Sequence, residues 1–469
     1  MPALLINTTF HTLLVALFWF LLRFRFQTRA TKPANPWRSL SLALSARPVV
    51  AVLMTGAAVN LAFAVLAGYI NPRDYVQDVV AARQFFRHET LYPVNLPQLG
   101  IAELRAPVPD QQTLQRIPLM GREFASLSEP PATANAHPPL VGILLALPVD
   151  LFGLRGSFLL IVFLSSLLLW ISLVLIVRSL FGPRSRWEWL ALAGLVFGWF
   201  QVDTTLRGGQ PSLFILFIVV AAWRLLRRNQ SGPAGALIGL ATSIHAFPAL
   251  LGLWCLIRCR RALVSMLASL LVIAAFIAAV TNLSVFPEWL ATIQMLSRLF
   301  VPTSGNVSLA GRMATFSGSM GWGTHTDIAG PFAFLAVAGA LAWFLPWKLT
   351  RSNPDTLDVE YAMFVVAMLL ASPISWPRYF PILLLPIAVF LKHASASKIP
   401  PLLVLLLVLT MPSSALGAIQ AWLLPRLGFP FTWLIESLPT CGLLVLCLWL
   451  GEIHSRIQYS AASPKTSLN

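Results

Sequence analysis

Acidic residues are scarce in this chain. Of 469 residues only 17 are Asp or Glu, and charged residues of both signs make up 11%. With 57% of residues hydrophobic and a mean hydropathy of +0.76, that shortage excludes an ordinary soluble enzyme. Cysteine is sparse too: Cys255, Cys259, Cys441 and Cys447 all lie in or beside apolar segments. Cys255 and Cys259 are one helical turn apart, and no nearby His or Cys pair completes a metal-binding set, so these thiols read as packing residues. A continuous basic stripe is also missing. The 33 Lys and Arg residues fall in short clusters at the ends of apolar runs, which is the positive-inside pattern rather than a nucleic-acid surface. Pro- and Ser-rich stretches (400–401, 461–469) are short, and no soluble appended domain is expected.

What the chain has is apolar runs near the ~20 residues that cross a ~30 Å hydrocarbon core. The expectation is an all-α, polytopic transmembrane bundle of about eleven spans plus two broken or re-entrant segments, with boundaries good to a few residues. Residues 8–22 form a first apolar run with Arg23, Arg25 and Arg29 after it and no small-residue cleavage site, so a retained helix with its N-terminus outside is expected. The basic connector Arg23–Arg47 then lies in the cytoplasm, and 48–70 carries the chain outward. Segment 138–152 is short, contains Pro148 and lacks a basic flank, whereas 156–178 ends on Arg178, Arg184 and Arg186. Segment 138–152 should therefore enter and leave on the outer side. A second odd segment, 234–257, lies between Arg227-Arg228 and the Arg258, Arg260, Arg261 cluster. Both flanks read as cytoplasmic, and Pro248 with Gly235 and Gly239 makes a broken hairpin with His245 near its turn. Residues 282–327 form a further outward loop, and later spans fall near 328–347, 358–373, 379–392, 399–416 and 430–450. The chain divides into an extra N-terminal helix and connector (1–47), a membrane domain (48–455) and a cytoplasmic tail (456–469).

The one long polar interval, 71–136, holds seven of the acids: Asp74, Asp78, Glu89, Glu103, Asp110, Glu123 and Glu129. Carboxylates placed just outside a span are costly to hold near hydrocarbon and point to function. Asp74 and Asp78 are spaced i, i+4, so on a helix they share a face, with Arg73, Arg83 and Arg87 close by. That suits a general base or a ligand for a cationic group, and solvated helix charges are the plain alternative. Gly208-Gly209-Gln210-Pro211-Ser212 sits at the outer mouth of a span, where glycine permits close backbone approach or simply makes a turn. Asn306-Val-Ser308 and Ser372-Pro-Ile-Ser-Trp376-Pro-Arg378-Tyr379 lie on outward loops. The latter reads as an aromatic interface belt or as a sugar and phosphate site, Trp376 stacking and Arg378 offering its fork of donors. His245 and His137, taken alone, read as a hydrogen-bonded core residue and a turn residue.

Taken in order, these pieces resemble glycosyltransferase family 87 of the GT-C superfamily over roughly 70–390. The resemblance rests on Asp74-Tyr75 with Ala81-Ala82 and Leu91-Tyr92-Pro93, then His137-Pro-Pro-Leu140 with Pro148. Gly209-Gln210 follows, with Ala234-Gly-Ala-Leu-Ile-Gly-Leu-Ala241 and Pro248, and then Asn306-Val-Ser-Leu-Ala310 and Ser372-Pro-Ile-Ser-Trp376. The chain departs from the family where His245 replaces a usual Lys, where Pro377, Arg378 and Tyr379 replace a His after the Ser-Pro-x-Ser-Trp run, and where Asp78 and Val79 replace a tyrosine pair. The resemblance implies a bacterial inner-membrane enzyme with an extracytoplasmic active site. It would transfer a hexose, mannose in the first instance, from a polyprenyl-phosphate donor to a hydroxyl of a lipid or glycan, with inversion and without metal or cofactor. Asp74, or else Asp78, would be the base. His245, Arg378, Arg207 and Arg312 would meet the donor phosphate, and Tyr75, Gln210, Asn306, Ser308 and Trp376 the sugar or acceptor. The competing expectations are a secondary transporter or lipid flippase, disfavoured by the lack of an inverted repeat, and an O-antigen ligase or polymerase using a diphosphate-linked donor.

Overall fold

The computed structural model describes residues 47–70, 74–92, 135–303, 305–323, 325–344, 354–393 and 429–462. The first apolar run, most of the polar interval and the span expected near 399–416 lie outside them. Among the described residues there are fifteen α-helices, two 3₁₀ segments and no strand. Four helices are long and apolar enough to cross a membrane, or five if one bent pair counts as a single span.

Helix α1 (Arg47–Ile70) carries no charge after Arg47, and the short α2 (Tyr75–Phe86) follows it. Helix α3 (Pro139–Phe181) starts on Pro139, where the missing N–H costs no helical bond. The two segments expected at 138–152 and 156–178 are its two limbs. They break at Gly153, whose φ of 64° suits glycine, while the helix passes through Pro148. Helices α4 (Arg186–Phe197) and α5 (Phe200–Arg207) form the bent pair, turned by 62°. A Ser185/Glu188 capping box opens α4. This bend was not foreseen. The Gly198 carbonyl freed at it accepts a bond from Asn60 Nδ2 at 3.0 Å, the kind of compensation that a break among apolar helices requires.

Helix α6 (Ser212–Arg227) leads through a three-residue turn into α7 (Ser231–Ile244), which stops at His245. A 3₁₀ turn (Phe247–Ala249) and α8 (Leu250–Arg258) follow, then α9 (Arg260–Val280). The remainder comprises α10 (Val285–Phe300), α11 (Leu309–Ser319), α12 (Thr326–Phe344), α13 (Pro354–Ala371), a 3₁₀ segment (Pro377–Leu383), α14 (Leu384–His393) and α15 (Phe429–Ala462).

Ion pairs on α13 fix how segment 231–258 runs. Arg227, at the end of α6, pairs with Asp358 at 3.3 Å, and Arg258 Nε, at the end of α8, bonds Glu360 at 2.9 Å. Both flanks therefore meet the same end of α13, and 231–258 is a hairpin with His245 at its tip, as its basic flanks suggest. Gly235 and Gly239 serve packing rather than the break. A Cβ at Gly235 would fall 2.0 Å from the Ala262 carbonyl oxygen, and one at Gly239 would fall 2.7 Å from that of Met266. Small residues four apart let α7 and α9 touch backbone to backbone.

The helices thus have two unlike ends. Arg178, Arg184, Arg186, Arg227, Arg228, Arg258, Arg260 and Arg261 gather at one. There Asp358 also accepts from Trp223 Nε1 at 3.0 Å and pairs with Lys392 at 3.3 Å, and Glu360 meets His454 at 2.9 Å. The other end carries the start of α2, His137, Gly208, His245 and the Ser375–Tyr379 turn.

Candidate active site

At that second end, residues from four separate stretches converge. Asp74 caps α2 from outside, and its side chain makes no bond to its own helix. Instead the carboxylate pairs with Arg378, 304 positions away, on the 3₁₀ segment. Both side chains are partly open, at 29% and 27% exposure. The Arg378 guanidinium lies 5.4 Å over the Trp376 ring, and the Arg378 carbonyl accepts from Thr205 Oγ1 on α5 at 2.7 Å. Gly208 lies against Asp74, where a Cβ would come within 3.2 Å of the carboxylate. At Gly209, φ is 60° and a Cβ would stand 2.9 Å from that of Tyr75, so both the conformation and the space require glycine there.

One turn along α2, Asp78 is buried and faces a different partner. Its Oδ1 lies 2.7 Å from His137 Nδ1, with side-chain exposures of 2% and 3%. Asp74 and Asp78 thus neighbour one another on α2 but belong to different pairs. His137 is clamped through its backbone, its N–H donating to Asn135 Oδ1 at 2.8 Å and its carbonyl accepting from Tyr92 OH at 2.7 Å. The His137 ring meets that of His245 edge-on at 6.0 Å. His245 Nε2 lies 3.3 Å from Tyr379 OH, and Tyr379 adjoins Arg378. A continuous chain therefore runs from Asp74 through Arg378, Tyr379, His245 and His137 to Asp78, at the tip of the hairpin and the mouths of α2, α3 and α6.

His245 sits in the break, outside both flanking helices, with Nδ1 buried and unbonded among the described residues. Burial, with His137 and Arg378 nearby, pushes its imidazole down to about 3. That setting favours the neutral ring, whereas the phosphate role expected of it needs the imidazolium.

Several residues expected at the site are committed elsewhere. Arg312 is buried on α11, pairing with Glu436 at 3.0 Å and donating to the Thr303 carbonyl at 3.0 Å. Arg207 is half-open, 3.5 Å from Asp203, and its guanidinium lies 5.7 Å over Phe63. Tyr75 is fully buried and packs edge-on against Phe158 at 5.9 Å, which makes it a core residue. Gln210 is buried but stays beside the site, its side chain lying against Gly208 as Asp74 does.

Asn306 and Ser308 form a knot with the Ser372–Trp376 turn. Asn306 Nδ2 donates to Pro373 O at 2.9 Å, and its Oδ1 accepts from Ser375 N at 2.9 Å. Ser308 Oγ donates to Pro373 O at 3.0 Å and caps α11 by accepting from Gly311 N at 2.9 Å. The two motifs are halves of one structure that presents Trp376 and Arg378. Sequence reasoning passed over His137 as a turn residue and named Tyr379 only within its motif. A buried carboxylate needs a partner, and the unplaced His beside Asp78's loop was the available signal for His137.

No group of three or more His, Cys, Asp or Glu suited to a metal occurs among the described residues. The model of glycosyltransferase family 87 matches residues 136–373, just over half of the 469 residues. The match includes His137 and His245 and stops on either side of the Asp74–Arg378 pair. No curated protein and no solved structure matches the chain.

Proposed function

The chain belongs to glycosyltransferase family 87, and on that premise we propose the reaction that its site performs. The enzyme transfers a hexose, mannose in the first instance, from a polyprenyl-phosphate donor to a hydroxyl of a lipid or glycan acceptor. It does so by single displacement, inverting the anomeric carbon. The basic residues gathered at the opposite end of the helices favour a site on the extracytoplasmic face of a bacterial inner membrane.

The observation that carries this reading is the Asp74–Arg378 pair. A sugar hydroxyl is too weak an acid to ionise beforehand, so a base must take its proton as the new bond forms. The leaving lipid phosphate gains charge as the old bond breaks, and a placed cation stabilises that charge. Asp74 and Arg378 are such a base and such a cation, and they pair with one another. Donor phosphate competes for the Arg378 fork, a bidentate match for its oxygens, and frees Asp74 to accept the hydroxyl proton. When polyprenyl phosphate leaves, Arg378 returns to a carboxylate and the proton passes to water.

The test uses the purified full chain in lipid nanodiscs, a radiolabelled polyprenyl-phosphate hexose and a bacterial envelope lipid extract. Labelled product should form with wild type, and Asp74→Asn should lower the rate by ~10²–10⁴-fold while donor binding persists. Transfer that requires a diphosphate-linked donor would refute this reading in favour of a ligase, and movement of intact lipid across the bilayer without transfer would favour a flippase.

A further inference from the structure

We propose that His137 binds a hydroxyl of the transferred hexose, and that Asp78 is the positioning residue that sets its tautomer. This rests on the glycosyl-transfer reading above and adds a sugar-recognition role to it. An ionised carboxylate only accepts hydrogen bonds, so the 2.7 Å contact with Asp78 Oδ1 places a proton on Nδ1 of His137. In the neutral ring the Nε2 lone pair is then left free. No other described residue bonds that ring, and its backbone is held at both the N–H and the carbonyl. The ring is fixed in place by its Asp78 contact, which leaves the Nε2 edge as its remaining polar group. A hydroxyl hydrogen is a group that would satisfy it.

The choice of the donor hexose follows from position. In a polyprenyl-phosphate donor the anomeric carbon is bonded directly to a phosphate oxygen. With the phosphate on Arg378, the sugar ring has to lie within one ring's breadth of it. The groups that extend from Arg378 are Tyr379, His245 at 5.0 Å between ring centroids and His137 at a further 6.0 Å. Rings of this kind can meet sugar C–H groups with their faces and hydroxyls with their polar edges. Asp78, at the end of the series, keeps His137 presenting an acceptor rather than a donor.

The experiment measures binding rather than turnover. Full-length protein in nanodiscs is titrated with polyprenyl-phosphate mannose, glucose and galactose, and then with the 2-, 3-, 4- and 6-deoxy forms of whichever binds. We expect one deoxy position to weaken wild-type binding by about tenfold, and the same change to cost His137→Ala nothing. Deoxy penalties that persist in full in His137→Ala overturn the proposal. Wild type that binds none of the three donors overturns the glycosyl-transfer reading, and this proposal with it. Should His137→Ala fail to fold, the same scan is run on His137→Gln. ¹⁵N-histidine spectra of wild type provide a second readout, with the His137 signal identified by its loss in the variant. Nδ1–H with a bare Nε2 is expected, converting in Asp78→Asn toward Nε2–H. Nε2–H in wild type would refute the assignment.

Discussion

Two arginines that look equivalent in the sequence should respond oppositely to the same change. Arg312 and Arg378 both sit on outward segments and both suit a lipid phosphate. In the structure, Arg312 is 4% exposed and its partner Glu436 is 10% exposed. Arg312→Gln would remove the arginine from this buried pair while the Glu436 carboxylate stays. Breaking a buried pair from one side costs about 3–5 kcal/mol. The Thr303 carbonyl would lose its donor as well, adding about 1 kcal/mol. Arg378 and Asp74 are each more than a quarter open to solvent, and pairs of that kind contribute about 0.2–1 kcal/mol to stability. Arg378→Gln should therefore leave the fold nearly intact, while donor affinity falls by at least about tenfold for the lost charge-assisted bonds. Thermal unfolding in nanodiscs, paired with donor titration, reads both quantities. The expected pattern is a large drop in melting temperature for Arg312→Gln alone and a large drop in donor affinity for Arg378→Gln alone. An Arg312→Gln protein as stable as wild type, but unable to bind donor, would overturn the division of roles.

Three further outcomes are expected. With His245 neutral down to about pH 3, its protonation stays constant between pH 5.5 and 8, so donor affinity should not weaken as pH rises across that range. A weakening that His245→Lys removes would reinstate the imidazolium as phosphate ligand. Gly235→Ala puts a methyl against the Ala262 backbone, where no side chain can yield. Overpacking of about 1–3 kcal/mol should outweigh the ~0.5–1 kcal/mol gain in helix propensity, and a melting temperature at or above wild type would refute the close helix contact. In a background lacking the exposed Cys441, Ser319→Cys should react with an impermeant thiol reagent on intact spheroplasts, and Arg261→Cys only after lysis. The reverse pattern would invert the topology.

The broad architecture was legible because hydropathy and arginine placement are local. The 48–70 span, the two limbs of α3 and the hairpin tip at His245 could all be read from adjacent residues. Asp74 stood out because acids are rare and it follows a span directly. Its partner could not be read, since pairing across 304 positions depends on how the helices assemble. The same limit separates Arg312 from Arg378, which differ in burial and not in sequence setting. The Asn306 and Ser372 motifs were visible as motifs, but only contact shows that they hold each other. Gly235 and Gly239 were taken as signs of a break because glycine weakens isolated helices. Here the neighbour α9 turns the lack of a side chain into contact. The α4–α5 bend left no proline to announce it.

The charged cluster at the arginine-rich end has a mechanical consequence. Asp358 and Glu360 on α13 draw in Trp223 and Arg227 from α6, Arg258 from α8, Lys392 from α14 and His454 from α15. Pulling any one of these helices away would take a partner from a buried carboxylate, which is costly among apolar neighbours. A bundle pinned in this way at one end has its freedom at the other. On the proposed reaction, a parting of helices that admits a lipid-linked donor is expected at the His245 end. There the Asp74–Arg378 pair is more than a quarter open to solvent, and pairs of that kind cost little to part.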